Sequence, residues 1–272
     1  MSFSQDGSRL AVAGWTGNAI IWSVPDFLEI MRLNHNKSIE PKHIDNVNAL
    51  VFSPDGRYLV MGDNDTLEIW ESNSGRMIKE SLLDGEVNAV AFSPNGEYLA
   101  VCSNINVSFW DANSWQIVGS LNEKYIKSAA FSPDGNFFAT AGPDEHFTAK
   151  LWSWNTGFNL KNTMGFRHDD NVNTIAFSPD GRYVATAGDD NTARIWDLKT
   201  GKEVTRMVHE GPVMSVTFSP DGRFIATGSW DNTTRIWETH GWNGLTSINH
   251  NIKCAENFYF SKNGKYFATI AG

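Results

Sequence analysis

The sequence predicts an all-β fold in which seven successive units each form one small antiparallel sheet, and three observations carry that prediction. A Phe-Ser-x-Asp/Asn-Gly hairpin signal recurs with its Phe at Phe3, Phe52, Phe92, Phe131, Phe177, Phe218 and Phe260. An aliphatic or aromatic residue followed by Trp closes six of the units, at Trp22, Trp70, Trp110, Trp152, Trp196 and Trp237. Between these marks lie short β-rich runs separated by turn residues. The spacing from one hairpin Phe to the next runs from 39 residues (Phe92 to Phe131) to 49 (Phe3 to Phe52), near the roughly 40 to 45 residues of a four-stranded propeller blade.

The fifth unit serves as template for the elements. Val172 to Phe177 is a short run of alternating character, and Ser178-Pro179-Asp180-Gly181 has the residues of a tight turn into Tyr183 to Ala187. Asp189-Asp190-Asn191 supplies the next turn, before Thr192 to Trp196. Thr200-Gly201 then leads into a fourth strand, Val204 to Val208. Sheets this small cannot bury a face alone, so the units must stack radially and cover one another, as in a β-propeller. The expected organisation is one domain over residues 1–272, in units of about 1–33, 34–83, 84–121, 122–166, 167–208, 209–249 and 250–272, the first and last incomplete. Gly119 and Gly165 are read as turn residues.

The units resemble the WD-repeat propellers. In that family a His four residues before the innermost strand, a Ser/Thr in the second strand, an Asp in the next turn and the closing Trp form a hydrogen-bonded chain inside each blade. Unit five carries His168, Thr186, Asp190 and Trp196, and unit six carries His209, Thr227, Asp231 and Trp237. The resemblance spans nearly the whole chain and implies a structural role for these eight side chains. Other units depart from the pattern: unit two keeps His43, Asp65 and Trp70 but has Met61 for Thr, unit three has Leu83 for His, and unit four has Asn122 for His but keeps Thr140 and Trp152. Unit one has Val12 and Thr16 where Thr and Asp would stand. The complete chain is therefore expected only in units five and six, making those blades the most rigid. The short first strand and a seventh unit ending after its second strand are read as a fragment of a longer repeat protein, with an open ring or one completed by another polypeptide as the alternative.

Charge and cysteine usage narrow the functional classes. With 22 Lys plus Arg against 31 Asp plus Glu, the net charge of -9 disfavours nucleic acid as a partner. No apolar run is long enough to cross a bilayer as a helix and no secretion signal opens the sequence, so no membrane role is expected. Two cysteines, Cys102 and Cys254, draw no disulfide framework, and a cytoplasmic setting is expected.

The candidate binding residues are aromatic. Trp15 and Trp230 stand at equivalent positions, each directly before the turn residue Thr16 or Asp231. The resemblance implies that this turn lies on the top face, near the central channel, where partners of such proteins commonly bind. Tyr125, Phe147 and Phe166 are read as lying in top-face turns too, with Asp189 and other acidic turn residues (Asp63, Asp65, Asp144, Glu145, Asp169, Asp170) beside them. These turns would suit a protein or peptide partner carrying a basic patch, although Asp is also common in turns for its geometry alone. The inserted segment of residues 34–42 is a second candidate, with permissive surface insertion as the simpler reading.

Catalysis finds no support in the motifs. The seven His are scattered, no His-x-x-x-His or Cys-x-x-Cys pair gives metal spacing, and no Gly-rich loop opens a helix. No cofactor, metal or catalytic residue is assigned. The expected function is a non-catalytic scaffold binding a protein or peptide on its top face. The alternative is a sensor or regulatory propeller module of a larger signalling ATPase, kinase or protease, and a third reading is a propeller resembling the TolB or prolyl-oligopeptidase type, whose units need not end in Trp.

Overall fold

A computed structural model describes residues 1–14, 17–34, 47–143, 146, 148–154, 158, 160–242, 244–249, 255–261 and 267–271, with backbone alone at several strand positions beyond 244. Every regular element among the described residues is a β-strand, and the strands form six four-stranded antiparallel sheets and one of two strands. Each sheet is a simple meander, so each is one propeller blade. Blade one comprises Ser2–Phe3, Arg9–Ala13, Asn18–Ser23 and Glu29–Asn34, and blade two Ala49–Phe52, Tyr58–Gly62, Thr66–Glu71 and Arg76–Leu82. Blade three comprises Val87–Phe92, Tyr98–Ser103, Val107–Asp111 and Gln116–Leu121. Blade four follows with Ser128–Phe131, Phe137–Ala141, Thr148–Ser153 and Lys161–Arg167. Blade five has Val172–Phe177, Tyr183–Gly188, Thr192–Asp197 and Glu203–Val208; blade six has Val213–Phe218, Phe224–Ser229, Thr233–Glu238 and Gly244–Asn249; the last sheet pairs Ala255–Phe260 with Phe267–Ala271.

The chain forms two compact units, residues 1–125 and 126–272. In the first, an apolar layer between blades one and two joins Ile21 and Leu33 to Phe52, Leu59 and Trp70, and a second layer joins Val60 and Ile69 of blade two to Leu99 and Trp110 of blade three. In the second unit, Leu151 and Phe166 of blade four pack on Val184 and Trp196 of blade five, and Ile195 and Met207 of blade five on Val216 and Ile225 of blade six. Burial between blades, proportional to apolar area, is what holds sheets too small to stand alone.

The hairpin between first and second strands has a side-chain brace. Ser178 Oγ donates to Asp180 Oδ1 (2.6 Å) and accepts the Tyr183 N–H (2.8 Å), while Gly181 takes φ of +69°, open to glycine without penalty. The same Ser–Asp bond recurs at Ser4–Asp6, Ser53–Asp55, Ser132–Asp134 and Ser219–Asp221. The hairpin aspartates are thus structural parts and not inert surface residues. In each of blades one to six the ladder between third and fourth strands slips by one residue at the closing Trp, as between Ile195 and Trp196, a bulge that blunts the outer edge.

The turn from third to fourth strand shows a second regularity. Gly75 and Gly201 adopt positive φ there, whereas Phe27, Trp115, Phe158 and Trp242 hold φ between 50° and 56° at the matching places. A bulky residue in this region is costly unless its surroundings fix it. Trp115 meets Tyr58 of the preceding blade edge-on at 5.1 Å, and Trp242 meets Tyr183 in the same way at 5.5 Å, contacts that offset the backbone strain.

Three sequence readings need correction. Gly119 and Gly165 are not turn residues; both lie inside fourth strands, with Gly119 directly opposite the fully buried Phe109. Phe166 is not in a top-face turn either. The fourth strand of blade four runs on to Arg167, which places Phe166 opposite Ala149, 0% exposed and 5.5 Å from the Trp196 ring of blade five. A small residue across the ladder leaves the volume that the phenyl ring fills.

Candidate functional site

The two complete motif sets are brought together within their blades. In blade five His168 Nε2 lies 2.7 Å from Thr186 Oγ1, His168 Nδ1 lies 3.1 Å from both Asp190 oxygens, and the Trp196 indole donates to Thr186 Oγ1 at 2.8 Å. Blade six repeats this: His209 to Thr227 2.8 Å, His209 to Asp231 2.9 Å, Trp237 to Thr227 2.9 Å. The carboxylate beside Nδ1 selects the tautomer with its proton there, so Nε2 accepts the threonine hydroxyl. Each Asp also caps turn amides, Asp190 those of Asp169 and Thr192, and Asp231 those of Glu210 and Thr233. Burial raises the Asp231 carboxyl, but the bonds from Thr233, Glu210 and His209 outweigh it and bring it down to about 2. Asp190 is likewise lowered: burial raises it, and the bonds from His168, Thr192 and the Asp169 amide outweigh that. His209 is lowered, first by burial, against the opposing pull of Asp231.

Other blades satisfy their tryptophans differently. Trp152 donates to Thr140 (3.0 Å), while Asn122, at the His position, is exposed. Trp70 and Trp110, lacking a threonine, donate to Glu68 Oε2 and Ser108 Oγ, each two residues back on the same strand and each buried (both 2.9 Å). The i−2 position was the available sequence signal: the same site holds Arg194 in blade five and Arg235 in blade six. His43 of unit two lies outside the described residues.

A rim on the second unit gathers the exposed candidates. In a meander, the turn between second and third strands and the connection from the fourth strand to the next blade share one end of the sheet. Trp230 sits in such a turn, 51% exposed, its N–H bonded to Pro212 O at 2.9 Å. Asp189 stands at the equivalent register position of blade five. Its Oδ1 accepts from the buried Asn173 amide at 2.6 Å; that amide also reaches Val213 O (3.3 Å), and Asn173 Oδ1 takes the Lys127 ammonium (2.8 Å). Asp189 and Trp230 are therefore linked through the Pro212–Val213 backbone on one rim. Tyr125, in the first unit, is 59% exposed in the loop after blade three, with φ of +55°. Trp15 and Phe147 lie outside the described residues, as do Asp144, Glu145 and most of the inserted segment. Among the described residues no group of three or more His, Cys, Asp or Glu could hold a metal ion, and no helix is long and apolar enough to cross a membrane.

Four-stranded blades with a His–Thr–Asp–Trp chain define a β-propeller built from repeats. The family described as WD domain, G-beta repeat matches residues 36–71, 160–197 and 201–238, the last two taking in both complete motif sets. The chain thus carries WD repeats at these three positions. A second family, eukaryotic translation initiation factor eIF2A, matches residues 64–157. Among similar proteins, Protein HIR1 of Eremothecium gossypii is 25% identical over 192 residues, which is 59% of this chain and 23% of that protein. Protein HIR1 of Kluyveromyces lactis is 38% identical over 84 residues, 26% of this chain and 10% of that protein. The matched regions span less than a quarter of these relatives' length.

Proposed function

We propose that this chain is a non-catalytic interaction scaffold whose rim in blades four to six, centred on Trp230, docks a protein or peptide. The observation that carries the reading is the display of Trp230. A large aromatic stands half in solvent on a backbone fixed by its own N–H bond to Pro212 and by the capped Asp231 that follows it. A rigid aromatic of this kind anchors partners at small entropic cost. Asp169, Asp170, Asp189 and Glu210 on the same rim suit a partner with a basic patch. Trp15, its counterpart in sequence, belongs to the same proposal for blade one.

The test is calorimetry on a partner recovered with the intact chain, titrated against Trp230→Ser and against Lys199→Glu with Lys202→Glu. The two lysines sit in the blade-five turn at the other end of the sheet. Binding should vanish in the first variant and persist in the second. Retention in Trp230→Ser with loss in the lysine variant would move the site to the other end.

A further inference from the structure

The indole N–H of Trp230 differs from those of the blade-closing tryptophans. Trp70, Trp110, Trp152, Trp196 and Trp237 each donate to a side chain of their own blade. Trp230 uses only its backbone N–H, and its indole has no hydrogen-bond partner among the described residues. Directly against it lies the turn Glu210-Gly211-Pro212. Three bonds clamp the two turns together: Trp230 N–H to Pro212 O (2.9 Å), Ser229 Oγ to Gly211 O (2.8 Å) and Glu210 N–H to Asp231 Oδ2 (3.1 Å). They approach so closely that a Cβ on Gly211 would come 3.0 Å from the Asp231 nitrogen and 3.3 Å from the Trp230 carbonyl carbon.

Glu210 itself is exposed, and its carboxylate has no cation among the described residues. The neighbouring charges are already engaged. Asp231 holds His209 and Arg235, and Asp189 and Lys127 both bond to Asn173. What remains open on this corner is one aromatic face, one indole donor and one carboxylate.

Resting on the docking reading above, we propose that this corner takes an arginine side chain of a peptide partner. The guanidinium stacks on the Trp230 face and directs an edge N–H at the Glu210 carboxylate, and a main-chain carbonyl of the peptide accepts the indole N–H. Arginine fits better than lysine because its cation is planar and weakly hydrated, so it stacks and still keeps donors at its rim.

The probe is an acetylated, amidated Gly-Arg-Gly tripeptide titrated into the ¹⁵N-labelled chain, reading the Trp230 indole cross-peak, which is assigned by its absence from Trp230→Ala. The peak should move and saturate. Gly-Lys-Gly should bind about threefold more weakly, and Glu210→Gln should weaken Gly-Arg-Gly about fivefold with an unchanged thermal midpoint, since its backbone bond to Asp231 is kept. Affinity should fall with added salt. A still peak, equal binding of a Gly-Gln-Gly control, or indifference to Glu210→Gln would each overturn the arginine assignment. If any of these occurs while the recovered partner is still lost by Trp230→Ser, the docking reading stands and only the arginine falls. If Gly-Arg-Gly binds as expected but the partner ignores Trp230→Ser, the docking reading falls instead.

Discussion

Arg194 places its Nη2 2.5 Å from Asp190 Oδ2, with both side chains only 5% exposed. The corresponding pair in blade six, Arg235 and Asp231, is longer at 3.4 Å, and Arg235 is 27% exposed. Asp190 thus serves two buried partners, His168 and Arg194, whereas Asp231 serves one buried histidine and an arginine in contact with water. Removing one member of a buried charged set leaves the others uncompensated. Asp190→Ala should therefore cost about 3–5 kcal/mol, and Asp231→Ala less, about 2 kcal/mol. Urea unfolding of the two variants checks this, and the reverse order would count against it.

The threonines of the second strand should rank by how many partners they serve. Thr186→Val and Thr227→Val each leave a histidine and a tryptophan without their shared hydroxyl, and Thr140→Val leaves only Trp152. At about 1–3 kcal/mol per buried group stranded, the first two should lose about twice what the third loses. Thermal midpoints of the three valine variants give the comparison.

Stability should fall in two stages on acidification. His209 has its folded pKa lowered, mainly by burial, so its neutral form is favoured on folding. That contribution is complete above an unfolded value near 6.5 and declines as the pH drops below it. Asp231, brought down to about 2, contributes fully above the unfolded value of about 3.9 and loses its contribution as the pH falls toward 2. Asp190 acts in the same direction. Denaturation midpoints between pH 8 and 2 should show both stages in the native chain and a smaller acid stage in Asp231→Asn.

Packing and hairpin bracing give a fourth pair of outcomes. Trp196→Ala removes a buried indole packed on Phe166 and should cost about 3–5 kcal/mol. Ser178→Ala takes away both the Asp180 bond and the acceptor for the Tyr183 amide, for about 1–3 kcal/mol. A serine variant indistinguishable from the native chain in urea would show the brace to be dispensable.

Strand order was legible because each blade advertises its own turns. Val172–Phe177 is observed as read, and the fourth strand of blade five begins one residue earlier than expected, at Glu203. What escaped was the partnering between strands. Nothing near Phe166 in sequence marks it as core, since the space it fills is made by Ala149, seventeen positions earlier, and by a tryptophan in the next blade. Glu68 and Ser108 likewise look like ordinary surface residues of an alternating strand until a tryptophan without its usual threonine needs an acceptor. At the rim, the position of Trp230 followed from the repeat, while the openness of its indole and of Glu210 depends on which neighbours are already engaged.

Asn104, Asp189 and Trp230 each stand just past the second strand of their own blade and each donates its N–H to the carbonyl of the residue before that blade's first strand, and in blades five and six that place is followed by the carboxylate that locks the turn. The side chain there can be aromatic, acidic or amide without changing what its backbone does. On the docking reading, recognition is modular in the way letters are on a fixed keyboard: one codon alters what a blade offers to a partner, and the sheet beneath is indifferent to the change. A lineage of such chains could exchange partners through single substitutions at these places while its folding remained the same problem, already solved.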